Sequence, residues 1–259
     1  MTQYTHGHHE SVLRSHAWRT AENSAAYLLG YLDESMSLLD VGCGPGTITA
    51  DLARLVSQVT AIEPSADVLA LASADAPTNI RFETGDVHAL AYADDTFDVV
   101  HAHQVLQHLA DPVQALREMR RVCKPGGIVA VRDGDYRAFA WYPEPPELDA
   151  WLELYLRVAR HNGGAPDAGR RLLGWAQQAG FADIVATTST WCFATQQDRA
   201  WWGSSWADRI QHSAIADQAM AAGFATRQDL TRISAGWLAW AGAADGWMSL
   251  LHGELLCRA

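Results

Sequence analysis

Three glycines fall at every second position of the run Leu38-Leu39-Asp40-Val41-Gly42-Cys43-Gly44-Pro45-Gly46-Thr47. A loop with Gly42, Gly44 and Gly46 so close together has few side chains to hold a ligand off, so its backbone can press directly against a bound molecule. Leu38, Leu39 and Val41 ahead of the loop suit a buried strand, and Ile48, Ala50, Leu52, Ala53 and Leu55 behind it suit a packed helix. That order aims the free N–H groups of a helix start at a polar or anionic part of the ligand. A second chemical feature follows. Gln58 to Ile62 reads as a short strand with Glu63 at its end. An acid about 20 positions beyond a glycine loop can accept hydrogen bonds from both hydroxyls of a ribose. Pro64 comes next and can lie flat against an adenine ring.

The glycine spacing argues against a dinucleotide. The G-x-G-x-x-G fingerprint needs glycine at position 47, where this chain has Thr47. The elements that must carry the loop and the acid continue downstream. Ile80, Phe82 and Thr84 alternate as a strand that Gly85-Asp86 ends, and Thr96 to Ala102 is a nearly continuous apolar strand of the kind buried on both faces. It runs into His103-Gln104-Val105-Leu106-Gln107-His108-Leu109. Asp111 suits an N-cap with Pro112 at the first helical position, and Val113, Leu116 and Met119 make that helix's apolar stripe. Lys124-Pro125-Gly126-Gly127 stops it, and Ile128 to Val131 is the next strand. Strand and helix alternate four times over about 100 residues, the pattern of a parallel, doubly wound α/β sheet. A ligand belongs at the carboxyl ends of such strands, where Gly42, Glu63, Asp86 and His103 all fall.

Leu38 to Gly46, Glu63, Gly85-Asp86, Phe97-Asp98-Val99-Val100 and Lys124 to Gly127 resemble the successive motifs of class I S-adenosylmethionine-dependent methyltransferases, of the ubiquinone/menaquinone-biosynthesis type. The resemblance spans roughly residues 16 to 135, and Trp247 to Leu256 is similar to the closing strand of that group. It implies a seven-stranded, mostly parallel Rossmann-like sheet with helices on both faces, and S-adenosylmethionine as cofactor with S-adenosylhomocysteine as product. It also implies roles: Gly42 and Gly44 wrap the amino-acid end of the cofactor, Asp86 accepts from the adenine amino group, the Val87 amide reads the ring, and His103 contacts the methionine part. The reaction implied is transfer of a methyl group to a small molecule by in-line displacement. Alignment of the acceptor can supply on the order of 7–11 kcal/mol of such a barrier. A hydroxyl or carbon acceptor must also lose a proton, and His108 is the candidate base, with His103 beside it and His101 read as an interior strand residue. Two alternatives stand next to this reading. One is a cofactor-binding module or non-methylating enzyme on the same fold; the other is an NAD-dependent oxidoreductase, which Thr47 counts against.

Composition bounds the partners. The chain has 259 residues, 49% hydrophobic and 19% charged, with a formal net charge of −11. That is globular composition, and the charge would repel a nucleic-acid backbone. No signal-peptide pattern or membrane-length apolar run is visible, and Cys43, Cys123, Cys192 and Cys257 are widely spaced. The expectation is a cytoplasmic monomer or homodimer with free thiols, with Cys43 packed in the cofactor loop rather than reactive. His6-Gly7-His8-His9-Glu10 could ligate a metal by spacing alone, but a solvated leader is the favoured reading, and no metal is expected.

The boundaries expected are N-terminal lid helices over 1–35, a cofactor-binding core over 36–136, a cap helix over 137–165, a core helix and sixth strand over 166–196, a helical cap over 197–245 and the last strand over 246–259. Ser11 to Gly30 reads as one helix, which would place Trp18 or Arg19 near the methionine carboxylate. Of 11 tryptophans, only Trp18 precedes residue 141. Most suit core packing at helical spacing. A cap so rich in rings inserted between the last two strands also suits an apolar or aromatic substrate, or a cationic one held by ring faces.

Overall fold

The computed structural model describes residues 5, 18–74 and 76–259. Its first five strands are β1 (Ser37–Val41), β2 (Gln58–Glu63), β3 (Ile80–Thr84), β4 (Phe97–His103) and β5 (Cys123–Gly134), joined in parallel. β1 is buried along its whole length and β4 at all but Asp98. This is why both read as unbroken apolar runs: helices cover both faces of the sheet. The crossovers carry α3 (Thr47–Leu52), α4 (Ala66–Ser73) and α5 (Pro112–Val122). The Asp111 carboxylate accepts the Gln114 amide at 2.9 Å and starts α5, which buries Ala115, Leu116, Met119 and Val122.

After β5 come β6 (Ala140–Tyr142), α6 (Pro146–His161), α7 (Leu172–Gln178), β7 (Ile184–Phe193), α8 (Gln196–His212), α9 (Ala214–Ala221), α10 (Arg227–Gly242) and β8 (Trp247–Arg258). β8 runs antiparallel to its neighbours, between β7 on one side and β5 on the other. The sheet therefore has eight strands rather than the seven expected. The extra one is short and has a simple origin. β5 pairs with His252–Arg258 and β6 with Trp247–Ser249, so β6 prolongs β5 along the same side of β8 after the turn at Tyr136–Ala138. The seven-strand architecture is otherwise intact.

Three local expectations need correction. The helix expected over Ser11–Gly30 has residues 11–17 outside the described ones, and the rest is two short helices, α1 (Ala21–Ser24) and α2 (Ala26–Leu29), broken at Ala25. The Asn23 side chain accepts from the Thr20 amide and the Thr20 hydroxyl accepts from the Asn23 amide, a capping box that starts a new helix at Ala21. The core helix expected within 166–196 starts only at Leu172, after a 3-10 turn over Ala168–Arg171. The helical cap expected over 197–245 is divided into three helices, the first break falling where Ser213 adopts extended backbone and its hydroxyl donates to the Arg209 carbonyl. The His6–His9 cluster lies outside the described residues.

The tryptophans form a second core between α6, α8, α10 and the β7–β8 ribbon. Trp151 stands edge-on to Trp206 and Trp237 at 4.6 and 4.8 Å, and all three are fully buried. Such pairs contribute about 0.5–1.5 kcal/mol each beyond the area they bury. This core fixes α8 over the carboxyl ends of the central strands. Among the described residues no helix is long and apolar enough to cross a membrane.

Candidate active site

A cavity of about 410 Å³ opens at the carboxyl ends of β1, β2 and β4, within the range of small-molecule sites. Its near end is the glycine loop. The amides of Gly42 and Cys43 both donate to the Ile62 carbonyl, at 2.8 and 3.1 Å, and fasten the loop to β2. Gly42 has a φ of +70°, and a Cβ there would lie 2.5 Å from Val105 Cγ2. With that φ and the Val105 side chain so close, the position suits only glycine. Glu63 accepts the Gly44 and Ser65 amides at 3.3 Å each, so the expected ribose acceptor and the glycine loop meet at one spot. Pro64 borders the same space.

Asp40 and His101 are direct neighbours in the β1–β4 register. Asp40 accepts from Thr49 Oγ1 at 2.5 Å and from His101 Nδ1 at 2.8 Å, all three buried. His101 Nε2 is buried without a hydrogen-bond partner among the described residues, and both residues border the cavity. A carboxylate that orients an imidazole is the arrangement of a positioned proton acceptor or donor. His101 was expected only as an interior strand residue, and Asp40 drew no role. The available signal was a charged and a titratable residue inside two otherwise apolar runs.

His103, at the end of β4, is 7% exposed, and neither ring nitrogen has a hydrogen-bond partner among the described residues. Burial, reinforced by Arg132 and Arg19, holds its pKa well below the ordinary histidine value. Beside it Arg19 donates to Gln104 Oε1 at 2.9 Å, and Gln104 Nε2 lies 2.9 Å from His252 Nε2. Gln104 holds φ at +54° to make that link. His108 sits on the 3-10 turn Leu106–His108 and also lines the cavity, 3.1 Å from Gln107 Nε2. Burial, with Arg19 second, lowers its pKa to about 3, so at neutral pH it is an uncharged imidazole. Arg19 also borders the cavity, where it bonds Gln104.

Asp86 and Val87 do not join this group. Asp86 is on an exposed turn, where it binds the amide and ring of His88 at 2.9 and 2.8 Å, and Val87 is in the core; neither lines the cavity. Cys43 is held as a thiol, its pKa pushed up by burial and then by Asp40 and Glu63. Among the described residues there is no cluster of metal-ligating side chains.

The far end of the cavity comes from the second core. Tyr136, Trp191, Trp202 and Arg209 line it. Trp191 is fixed by its indole N–H to the Asn23 carbonyl at 2.8 Å, and Tyr136 stacks on Tyr155 at 4.1 Å. Arg209 is 4% exposed, with its guanidinium 4.6 Å over the Trp206 ring. None of these residues was named as a site residue, because their distance in sequence from the loop gives no signal.

A glycine-loop cavity on this sheet defines a class of nucleoside-cofactor enzymes, and the comparisons narrow it. Residues 39–131 match the family model described as a methyltransferase domain. An uncharacterized methyltransferase of Schizosaccharomyces pombe is 35% identical over 98% of this chain and 96% of its own length. A structure described as a methyltransferase from an antibiotic biosynthesis pathway of Anabaena variabilis shares the fold with a TM-score of 0.63 at 15% identity, covering 91% of this chain and 98% of that one. Phosphoethanolamine N-methyltransferase 2 of Haemonchus contortus, in complex with phosphomonomethylethanolamine and S-adenosylhomocysteine, shares it with a TM-score of 0.56 at 17% identity, over 90% of this chain and 51% of that one. The chain belongs to the S-adenosylmethionine-dependent methyltransferases. It transfers methyl groups, and S-adenosylmethionine is its cofactor. The residues present fit that cofactor: a loop of three glycines at positive φ lining the cavity, and a carboxylate bonded to it at the strand ends.

Proposed function

We propose that this chain is a small-molecule methyltransferase of the EC 2.1.1 group acting on an apolar or aromatic metabolite. The observation that carries it is one cavity bounded by the glycine loop and Glu63 at one end and by Tyr136, Trp191 and Trp202 at the other. When bound, S-adenosylmethionine supplies an electrophilic methyl group for in-line transfer. Gly42 and Gly44 would flank its amino-acid end, Glu63 its ribose and Pro64 its adenine, with Arg19 at the methionine carboxylate. Asp86 and Val87 remain proposed for the adenine edge, and His103 for the methionine side. Tyr136, Trp191 and Trp202 orient the acceptor and exclude water from it. His108, which lines the cavity, is the residue proposed to take the acceptor's proton. Residues 1–35 would form the lid, and 137–165 with 197–245 the cap over the core of 36–136, 166–196 and 246–259.

The net charge of −11 favours a small-molecule partner over nucleic acid, and the rarity of closely spaced cysteines favours the cytoplasm. A monomer or homodimer is proposed. Calorimetric titration with S-adenosylmethionine, S-adenosylhomocysteine and NAD tests the cofactor, with binding of the first two expected. Labelled methyl transfer across a metabolite extract tests the acceptor class. Tight NAD binding alone, or label appearing only on polymeric nucleic acid, would overturn the reading.

A further inference from the structure

Asp40 and His101 stand on the cavity wall, one on β1 just ahead of the glycine loop and the other on β4. Nothing in the function proposed above uses them. Asp40 is 3% exposed. A buried carboxylate ordinarily needs a cation beside it, because hydrogen bonds from neutral groups leave its charge in place. Among the described residues, the ion-pair partner of Asp40 is His101 and no lysine or arginine. The bond between the two also has a direction. Asp40 offers lone pairs, so the proton in that bond sits on His101 Nδ1, and a neutral ring then presents a lone pair at Nε2. Nε2 is buried and has no hydrogen-bond partner among the described residues. At this point the wall holds a buried negative charge and a vacant acceptor in front of it. That is a place for a cationic hydrogen-bond donor.

Resting on the methyltransferase reading above, we infer that His101 Nε2 receives the ammonium group of the cofactor's amino-acid end, with Asp40 behind it as the positioning residue that fixes the ring and balances the charge. The layout of the sheet supports this. β1 lies between β2 and β4. Glu63 and Pro64, at the end of β2, suit the ribose and adenine on one side of the loop, which leaves the amino-acid end for the β4 side, where His101 is. The chemistry of that end then selects the group. Its carboxylate only accepts hydrogen bonds, so a lone pair cannot hold it, and the sulfonium has no proton to donate. The ammonium is the donor that remains. A charged donor on a buried acceptor makes the stronger class of hydrogen bond, and the order Asp40, His101, ammonium sets a cation near a carboxylate in a space of low dielectric.

Titration calorimetry on the full chain tests this with three probes: S-adenosylhomocysteine, its analogue without the α-amino group, and methylthioadenosine, which lacks the whole amino-acid end. The wild-type chain is expected to bind S-adenosylhomocysteine about tenfold or more tighter than the deaminated analogue. His101→Asn keeps an amide N–H for Asp40 but places nothing where Nε2 stands. It is expected to bind those two probes within about twofold of each other, with methylthioadenosine affinity within about twofold of wild type. Asp40→Asn is expected to lose the same preference. A wild-type chain indifferent to the amino group, a preference that survives either variant, or a folded His101→Asn that binds all three probes equally more weakly would each overturn the proposal, the last by leaving His101 a structural role only. A crystal structure of the wild-type chain with S-adenosylhomocysteine needs no variant. The amino nitrogen is expected about 2.7–3.2 Å from His101 Nε2, and an amino group held by other acceptors would overturn the proposal. Failure of the wild-type chain to bind either S-adenosylhomocysteine or methylthioadenosine would instead refute the cofactor reading.

Discussion

Gly42→Ala isolates what the glycine loop requires. The backbone there has a φ of +70°, which costs an alanine about 1–2 kcal/mol. The new Cβ would also stand 2.5 Å from Val105 Cγ2, far inside the usual contact distance of about 3.5–4.0 Å. Overpacking of this kind costs about 1–3 kcal/mol. The loop cannot retreat freely, since the Gly42 and Cys43 amides are tied to the Ile62 carbonyl and Val105 packs against the first core. The expected total is about 2–5 kcal/mol, divided between fold stability and cofactor affinity. Urea unfolding and calorimetric titration with S-adenosylhomocysteine would measure the two parts. Val105→Ala separates the causes. In that background Gly42→Ala should cost only the backbone share of about 1–2 kcal/mol, because the clash is gone. A Gly42→Ala variant with wild-type stability and affinity would refute the reasoning. Identical costs in the two backgrounds would refute the clash and leave the backbone strain.

Glu63→Ala should weaken S-adenosylhomocysteine by roughly 1.5–3 kcal/mol, about 10- to 150-fold in Kd, with calorimetry as the measure and unchanged affinity as the contrary result. Acid should destabilise the fold. His103, His108 and His252 stay unprotonated in the folded chain well below the ordinary histidine pKa, chiefly through burial and then through Arg132 or Arg19. The unfolded chain takes up those protons below about pH 6.5, so this contribution is complete above that pH and is lost on acidification. Asp133, pushed up to about 7 by burial, works the other way, because the folded chain keeps a proton that the unfolded one releases. The balance is net uptake of about two protons on unfolding between about pH 4 and 6.5, read from denaturation midpoints across that range; a flat profile would contradict it. Glu254→Ala should cost about 3–5 kcal/mol in the same denaturation assay, since it strands Arg132, itself 1% exposed, without its partner across β5 and β8. The exposed Arg54–Asp51 pair should give under about 1 kcal/mol when broken.

The N-terminal half of the fold was legible because its signals are local. Gly42 to Gly46, Glu63, the Asp111 cap and the strands around Val99 and Val129 each declare themselves within a few residues, and a parallel sheet then has few ways to connect them. The start of α1 at Ala21 was not legible, since it rests on a Thr20–Asn23 capping box inside an otherwise helical pattern. Asp86 shows what motif reading leaves open: its place in the sequence matches the family pattern, and on its exposed turn its carboxylate accepts from the His88 amide.

By itself, the sequence determined the cofactor class, because a glycine loop and a distal acid are chemically specific at a fixed spacing. Tertiary structure alone decided the rest of the site. Asp40 meets His101 only because β1 and β4 pair in that register, across 61 positions of chain. Tyr136, Trp191, Trp202 and Arg209 share one wall only because the tryptophan core seats α8 against β7 and β8. Contacts between residues so far apart depend on how whole elements pack, which no short window of residues encodes.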